Sequence, residues 1–316
     1  MIKRTIDISE AAYLHLKNKQ LLIDKKGETV GQIPIEDIGV VILENPAIVL
    51  TQQVVIACQQ NNVALVFCDE RHLPYSVLLP ISDANTLHTK ILQQQISLSV
   101  PSKKRLWSQI VRHKISNQAE TLKNLGLTHA PVERLAAKVK SGDPDNLEAQ
   151  AAQKYWPLLF GKEFRRNTDM DDINSLLNYG YAIIRALIAR AIVGSGLHPA
   201  LGLFHSNQYN GLCLADDLME PFRPWVDWTV HQLAENQAEP KVDLSAKLAL
   251  LNILSETVLW QEQCLPLMVA CHYLLADLKR AFDDSGYALQ YPRRMYVKTT
   301  ANAPSLHGNT RRAGKA

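Results

Sequence analysis

Between Leu203 and Pro224 the chain reads LFHSNQYNGLCLADDLMEPFRP. His205 stands in a short apolar run, Asp217 follows twelve residues later, and Glu220 comes one helical turn after that. At i and i+3 two carboxylates share one face of a helix. Held close they repel, and a proton or a cation between them relieves the repulsion. Carboxylate oxygens suit Mg²⁺ or Mn²⁺, and an imidazole among them tilts the set toward tolerance of Mn²⁺. A further ligand has to come from another helix. Glu148, in NLEAQAAQKYW, stands among Ala149, Ala151 and Ala152, whose small side chains leave room for an ion or a neighbouring helix.

Each of these residues also has a plainer reading. Glu148 by itself fits a solvated helix face, and His205 fits a hydrogen-bonded core histidine. Asp217 and Glu220 fit the first turns of a helix, where carboxylates favour the macrodipole. Leu218, Phe222 and Trp225 read as core, and Pro221 kinks the helix or marks a restart.

The elements that must position these residues change character along the chain. Residues 1–82 hold short β-prone runs (TIDIS, AYLHLK, QLLID, GQIPI, IGVVILE, AIVL), then one helix, TQQVVIACQQNN, and the strand VALVFCD. From about residue 86 the period is helical. ANTLHTKILQQQISL, KKRLWSQIVRHKISNQAETLKNLG, PVERLAAKVKSG and the run after SGDPD are amphipathic. DINSLLNYGYAIIRALIARAIVG is a long apolar helix ending at Gly194-Ser195-Gly196, and two more helices are expected around 214–237 and 243–284. The expected fold is α+β. A small, sandwich-like β-rich domain (1–82) precedes a larger all-α domain (83–296) and a flexible basic tail (297–316).

The formal net charge of +3 conceals alternating blocks. Residues 86–170 carry 14 Lys and Arg against seven Asp and Glu, and residues 171–285 carry the reverse, seven against 14. A polyanion-binding surface beside a carboxylate-rich centre fits that pattern, as does chance segregation of solvated faces. No apolar stretch follows the basic start MIKRTIDIS, and CLPLMVACHYLLADL is too short and too charged for a membrane span, so a cytoplasmic protein is expected. The five cysteines lack CxxC spacing and read as buried, reduced thiols. There is no GxGxxG or Walker A loop, and GSGLHP is not a nucleophile elbow.

Taken together, LNYGYAIIRALIARAIVGSGLHPALGLFHSN, LADDLMEPFRPWVD, EAQAAQKYW with Phe164-Arg165-Arg166, and DDINSLLNYGY closely resemble the CRISPR-associated integrase family, Cas1, over roughly residues 140–290. The wording SNQYN and ADDLMEPFRP is most similar to the branch found in type II CRISPR loci. The resemblance implies a homodimer that joins a small partner, Cas2, in a heterohexamer. That assembly captures a short double-stranded DNA, the prespacer, and inserts its 3′-hydroxyl ends into the CRISPR repeat. It implies Glu148, His205 and Glu220 as metal ligands, with Asp217 as a supporting acid. Lys154, Lys162, Arg165, Arg166 and Arg223 are then expected near the DNA backbone, with Tyr155 and Trp156 in the core. Lys103-Lys104-Arg105 and Arg112-His113-Lys114 are expected as a second phosphate track. Two other functions stay open: a structure-selective metal-dependent nuclease, and a nucleic-acid-binding scaffold without catalysis.

Overall fold

A computed structural model gives the structure and describes residues 3–80, 85–168, 170, 172–236 and 241–296. The boundary expected at 82–83 and the tail expected at 297–316 lie outside the described residues.

The chain begins with β1 (Arg4–Ile8), β2 (Tyr13–Lys17), β3 (Gln20–Lys25), β4 (Glu28–Pro34), β5 (Ile38–Leu43), β6 (Val49–Leu50), α1 (Gln52–Gln60), β7 (Ala64–Cys68) and β8 (Pro74–Leu78). Asn18-Lys19 and Lys26-Gly27 all take positive φ, the geometry that lets two-residue turns join twisted strands, so β2, β3 and β4 form a meander. Two four-stranded sheets result, ordered β1-β5-β7-β8 and β4-β3-β2-β6.

The first sheet is a wall shared by two cores. Strand side chains alternate between faces. Val41, Leu43 and Leu65 pack with Leu14, Leu21, Val54 and Cys58 in the sandwich interior. Val40, Ile42, Ala64 and Val66 face the other way, into the helices. All six residues of IGVVIL are buried for this reason. Burial on both faces explains a continuous apolar run without alternation.

The helical part comprises α2 (His88–Ile96), α3 (Val100–Asn124), α4 (Ala130–Ala136), α5 (Leu147–Phe160), α6 (Ile173–Gly194), α7 (Cys213–Met219), α8 (Arg223–Asn236), α9 (Leu244–Asn252) and α10 (Leu267–Asp283). α6 runs through the middle, against α7, α8, α9, α10 and the shared sheet. It is long and apolar enough to cross a membrane, but 83% of its most apolar window is buried inside the fold.

Three expectations change. The segment 214–237 is interrupted by a 3₁₀ turn, Glu220–Phe222, because Pro221 has no N–H to continue the helix. The segment 243–284 is two helices separated by an antiparallel pair, β9 (Thr257–Trp260) and β10 (Gln263–Pro266), and β9 also pairs with β11 (Arg293–Arg294), so this part is not all-α. TVLW is β-branched and aromatic, and Gln261 takes the positive φ of a tight turn. Finally, Cys264 is exposed on β10 and Cys68 is half-buried, while Cys58, Cys213 and Cys271 are buried.

One buried ion pair ties the sandwich to the helices. Lys247 of α9 lies 2.8 Å from Glu44, which follows β5, and both are buried. Lys247→Met leaves that carboxylate without its cation and lowers the unfolding free energy by about 3–5 kcal/mol in urea denaturation. Adding Glu44→Leu recovers much of the loss.

Candidate active site

Three segments converge to build the site, and each is fixed by its own sequence. α5 starts at Leu147, and the Asp143 carboxylate accepts hydrogen bonds from the backbone N–H groups of Leu147 (2.9 Å) and Glu148 (3.0 Å). That cap satisfies two of the helix's free donors. Gly142, at φ +78°, donates to the Lys104 carbonyl and so fastens this start to α3. The 3₁₀ turn holding Glu220 is fastened to the same helix. Asn117 donates to the Pro221 carbonyl (2.7 Å), and Thr121 donates to that of Pro224 (3.3 Å).

α3 therefore carries Lys114 into the gap between the two glutamates. Its Nζ lies 2.6 Å from Glu148 Oε1 and 2.5 Å from Glu220 Oε2. The first contact is an aligned hydrogen bond, and the second is a charge contact that leaves Oε2 without one. Arg223 Nε donates to the other Glu220 oxygen at 2.9 Å. Burial pushes the Glu220 carboxyl up, but Arg223, Lys114 and His205 outweigh it and hold it below the usual carboxylate range. Burial likewise works to lower the Lys114 pKa, and Glu220 and Glu148 overcome it, so the ammonium is held charged.

His205 sits on the loop between α6 and α7, organised by Asp217. The fully buried Asp217 carboxylate accepts from the backbone N–H groups of Leu203 (2.6 Å), Phe204 (3.1 Å) and His205 (3.1 Å). It also holds His205 Nδ1 at 2.7 Å, which directs Nε2 away from it. Gly202 makes this wrap feasible, since a Cβ there would overlap the His205 carbonyl and crowd Asp217. Arg185 of α6 grips the far end of the loop through Asp216 (2.6 Å) and Asn210 (2.8 Å). The bond to Asp217 raises the His205 pKa, and burial opposes it. Beside His205, Phe204 stacks on buried Trp107, with ring centroids 4.3 Å apart and planes within 2°. Phe204 is 54% exposed and keeps a flat apolar surface at the edge of the site.

Behind the site lies a second polar cluster. Arg223 lies over the Tyr181 ring at 4.7 Å and Arg166 over the same ring at 5.4 Å. Tyr181 and Tyr155 donate their hydroxyls to buried Asp227. Burial raises the Asp227 pKa to about 7, and the two hydroxyls work against that rise.

Several sequence expectations are redistributed by these contacts. Asp217 and Glu220 do not pair on one face. Pro221 ends α7, Asp217 turns to the His205 loop, and Glu220 turns to α3. Lys154, Lys162 and Arg165 are exposed. Arg166 instead bonds Asn174 (2.9 Å) and Asn178 (2.6 Å), and Arg223 is taken up by Glu220. Tyr155 is buried and Trp156 packs on Phe160 and Phe164. In the stretch expected as a second phosphate track, Lys104 is exposed. Arg105 and Arg112 bond backbone carbonyls, His113 faces the Leu289 carbonyl, and Lys114 belongs to the site. Among the described residues no three His, Cys, Asp or Glu stand close enough together to hold an ion. Two carboxylates do converge, since Glu148 and Glu220 reach the same nitrogen, and that oxygen-rich donor pair fits a hard divalent cation.

A strand sandwich followed by helices in this arrangement is the fold of casposases and Cas1 proteins. A casposase bound to integration product superposes with a TM-score of 0.73 at 19% identity, covering 89% of this chain and 90% of that one. A Cas6-RT-Cas1–Cas2 complex superposes at 0.72 with 17% identity, covering 93% of this chain and 36% of that one. The family profile "CRISPR associated protein Cas1" matches residues 8–254. The CRISPR-associated endonuclease Cas1 of Neisseria meningitidis serogroup C (strain 8013) is 42% identical over 247 residues, 78% of this chain and 80% of that protein. The chain belongs to the Cas1 family.

The His205–Asp217 pair has a definite pH signature. A histidine whose folded pKa is raised adds stability fully present below its unfolded value of about 6.5, and loses it as pH rises through the folded pKa. The stability difference between wild type and Asp217→Asn is therefore larger at pH 6 than at pH 9, measured by chemical denaturation in EDTA. By NMR, the His205 midpoint in Asp217→Asn moves down.

Proposed function

We propose that this chain is the divalent-metal-dependent DNA integrase of CRISPR adaptation. It joins the 3′-hydroxyl ends of a captured prespacer to the CRISPR repeat. The observation that carries this reading is the convergence of Glu148 and Glu220, from separate segments, on one point beside a histidine oriented by a buried aspartate. Glu148, Glu220 and His205 Nε2 would hold Mg²⁺ or Mn²⁺. When bound, such an ion lowers the pKa of a hydroxyl nucleophile and offsets charge on the phosphate. Asp217 acts through His205 by fixing the ring's tautomer and direction, the usual arrangement behind a metal-binding imidazole.

The reaction is a transesterification. The prespacer 3′-oxygen bonds to a repeat phosphorus as the bond from that phosphorus to the target strand's 3′-oxygen breaks; the attacking hydroxyl gives its proton to solvent and the departing 3′-oxygen takes one up to become a hydroxyl. One phosphodiester replaces another, so no ATP is needed. With water as nucleophile the same centre is an endonuclease, the activity in the name of the Neisseria relative. Exposed Lys154, Lys162 and Arg165 offer positive charge to phosphates, which sets position and salt sensitivity rather than sequence. Phe204 offers a face on which a terminal base can stack. The β-rich part is assigned to homodimerisation, and a Cas2 dimer is assigned as the partner of two Cas1 dimers, supported by the fold shared with the Cas1–Cas2 assembly.

The test is covalent joining of a labelled 3′-hydroxyl duplex to a supercoiled plasmid carrying a repeat array, with Cas2 and Mn²⁺ present. Glu148→Ala, His205→Ala and Glu220→Ala each lower joining by about 10²-fold or more, the scale for losing a group essential to the chemistry. EDTA abolishes it. Metal-dependent cutting without joining would favour the nuclease, and joining that survives all three substitutions would rule out this site.

A further inference from the structure

The two carboxylates that would take a divalent ion are already bridged by a side chain. Lys114 Nζ touches both Glu148 and Glu220, at 2.6 and 2.5 Å. The Lys114 side chain is only 13% exposed, and the Asn117 and Thr121 bonds to the turn hold its helix in place. This is a built contact rather than a surface lysine reaching the nearest acid. With Arg223 on Glu220 the four charges sum to zero, so Glu148 and Glu220 are held together without any metal. Like-charged carboxylates at such separation would otherwise be forced apart or protonated.

We propose that Lys114 is a resident cation: it keeps Glu148 and Glu220 assembled in the metal-free protein and must withdraw for a divalent ion to enter. The inference rests on Glu148 and Glu220 being the metal ligands. Two cations cannot share a point within hydrogen-bond distance of the same two oxygens. Metal entry thus exchanges a single charge for a double one and leaves the site with surplus positive charge if Lys114 remains nearby. A phosphodiester is the anion that restores the balance, so metal and DNA each raise affinity for the other, a coupling that is reciprocal by thermodynamic necessity. In the DNA-free protein the ammonium competes with the metal.

The competition can be read without any activity assay. Mn²⁺ is titrated into DNA-free full-length protein and free Mn²⁺ is followed by electron paramagnetic resonance, for wild type and Lys114→Met. In parallel, wild-type protein is treated with a small amine-acylating reagent with and without saturating Mn²⁺, and the labelling of each lysine is quantified by mass spectrometry. The proposal expects Mn²⁺ to bind Lys114→Met about tenfold tighter than wild type, a difference of about 1.4 kcal/mol. It also expects Mn²⁺ to raise the labelling of Lys114 but not that of exposed Lys154. Equal or weaker Mn²⁺ binding by Lys114→Met overturns it. So does Lys114 labelling that Mn²⁺ does not change, even with tighter binding, because tighter binding alone would reflect only a removed charge. Should Lys114→Met fail to fold, the wild-type labelling decides. If Mn²⁺ binds undiminished to a Glu148→Ala/Glu220→Ala variant, or binds to none of these proteins, the metal reading of the two glutamates fails as well.

Discussion

Two carboxylates that point at one place, Glu220 buried and Glu148 half-buried, impose the strongest constraint in this molecule. Glu148 and Glu220 are far apart in sequence, and burial would push the Glu220 carboxyl up without the cations beside it. The surrounding structure supplies it. α3 is fastened to the start of α5 by Gly142 and to the 3₁₀ turn by Asn117 and Thr121, which brings Lys114 between the two glutamates. Arg223 completes the set from the start of α8, steadied on Tyr181, itself tied to Asp227. Buried Thr121, Asp143 and Asp227 all serve this one charge problem.

Asp217 solves a different problem with the same chemistry. A loop that presents a histidine would ordinarily leave its backbone donors to water. One fully buried carboxylate collects three of them together with the ring nitrogen, and the loop gains a fixed shape from a single side chain. The site thus contains one carboxylate that organises backbone and two that face a shared cation. The three residues, one Asp and two Glu, are nearly interchangeable on paper and are separated only by what each one touches.

This division explains what the sequence discloses and what it withholds. The β-rich start, the long apolar α6 and the break at Pro221 are legible because period, turn residues and proline act locally. His205, Asp217, Glu220 and Glu148 stand out as chemistry-bearing types in apolar or small surroundings. Lys114 reads instead as part of a basic run, because its partners lie 34 and 106 residues away. A signal was present: Lys114, Asn117, Gln118 and Thr121 fall at i, i+3, i+4 and i+7, a polar stripe on one face of α3 that packing has to satisfy. The β9–β10 hairpin was hidden because two helical runs flank it closely and invite reading as one. Arg166 and Arg223 show the limit of counting charge, since their guanidinium groups bond inside the fold.

The sheet β1-β5-β7-β8 has one more consequence. Because β5 and β7 give alternate side chains to two interiors, the sandwich and the helices share one sheet as the wall of both cores. The sandwich and the helices beneath it are packed through that common wall. Whatever grips the sandwich from outside therefore sets the aim of His205 and the two glutamates, in the way that a stock sets the aim of a barrel.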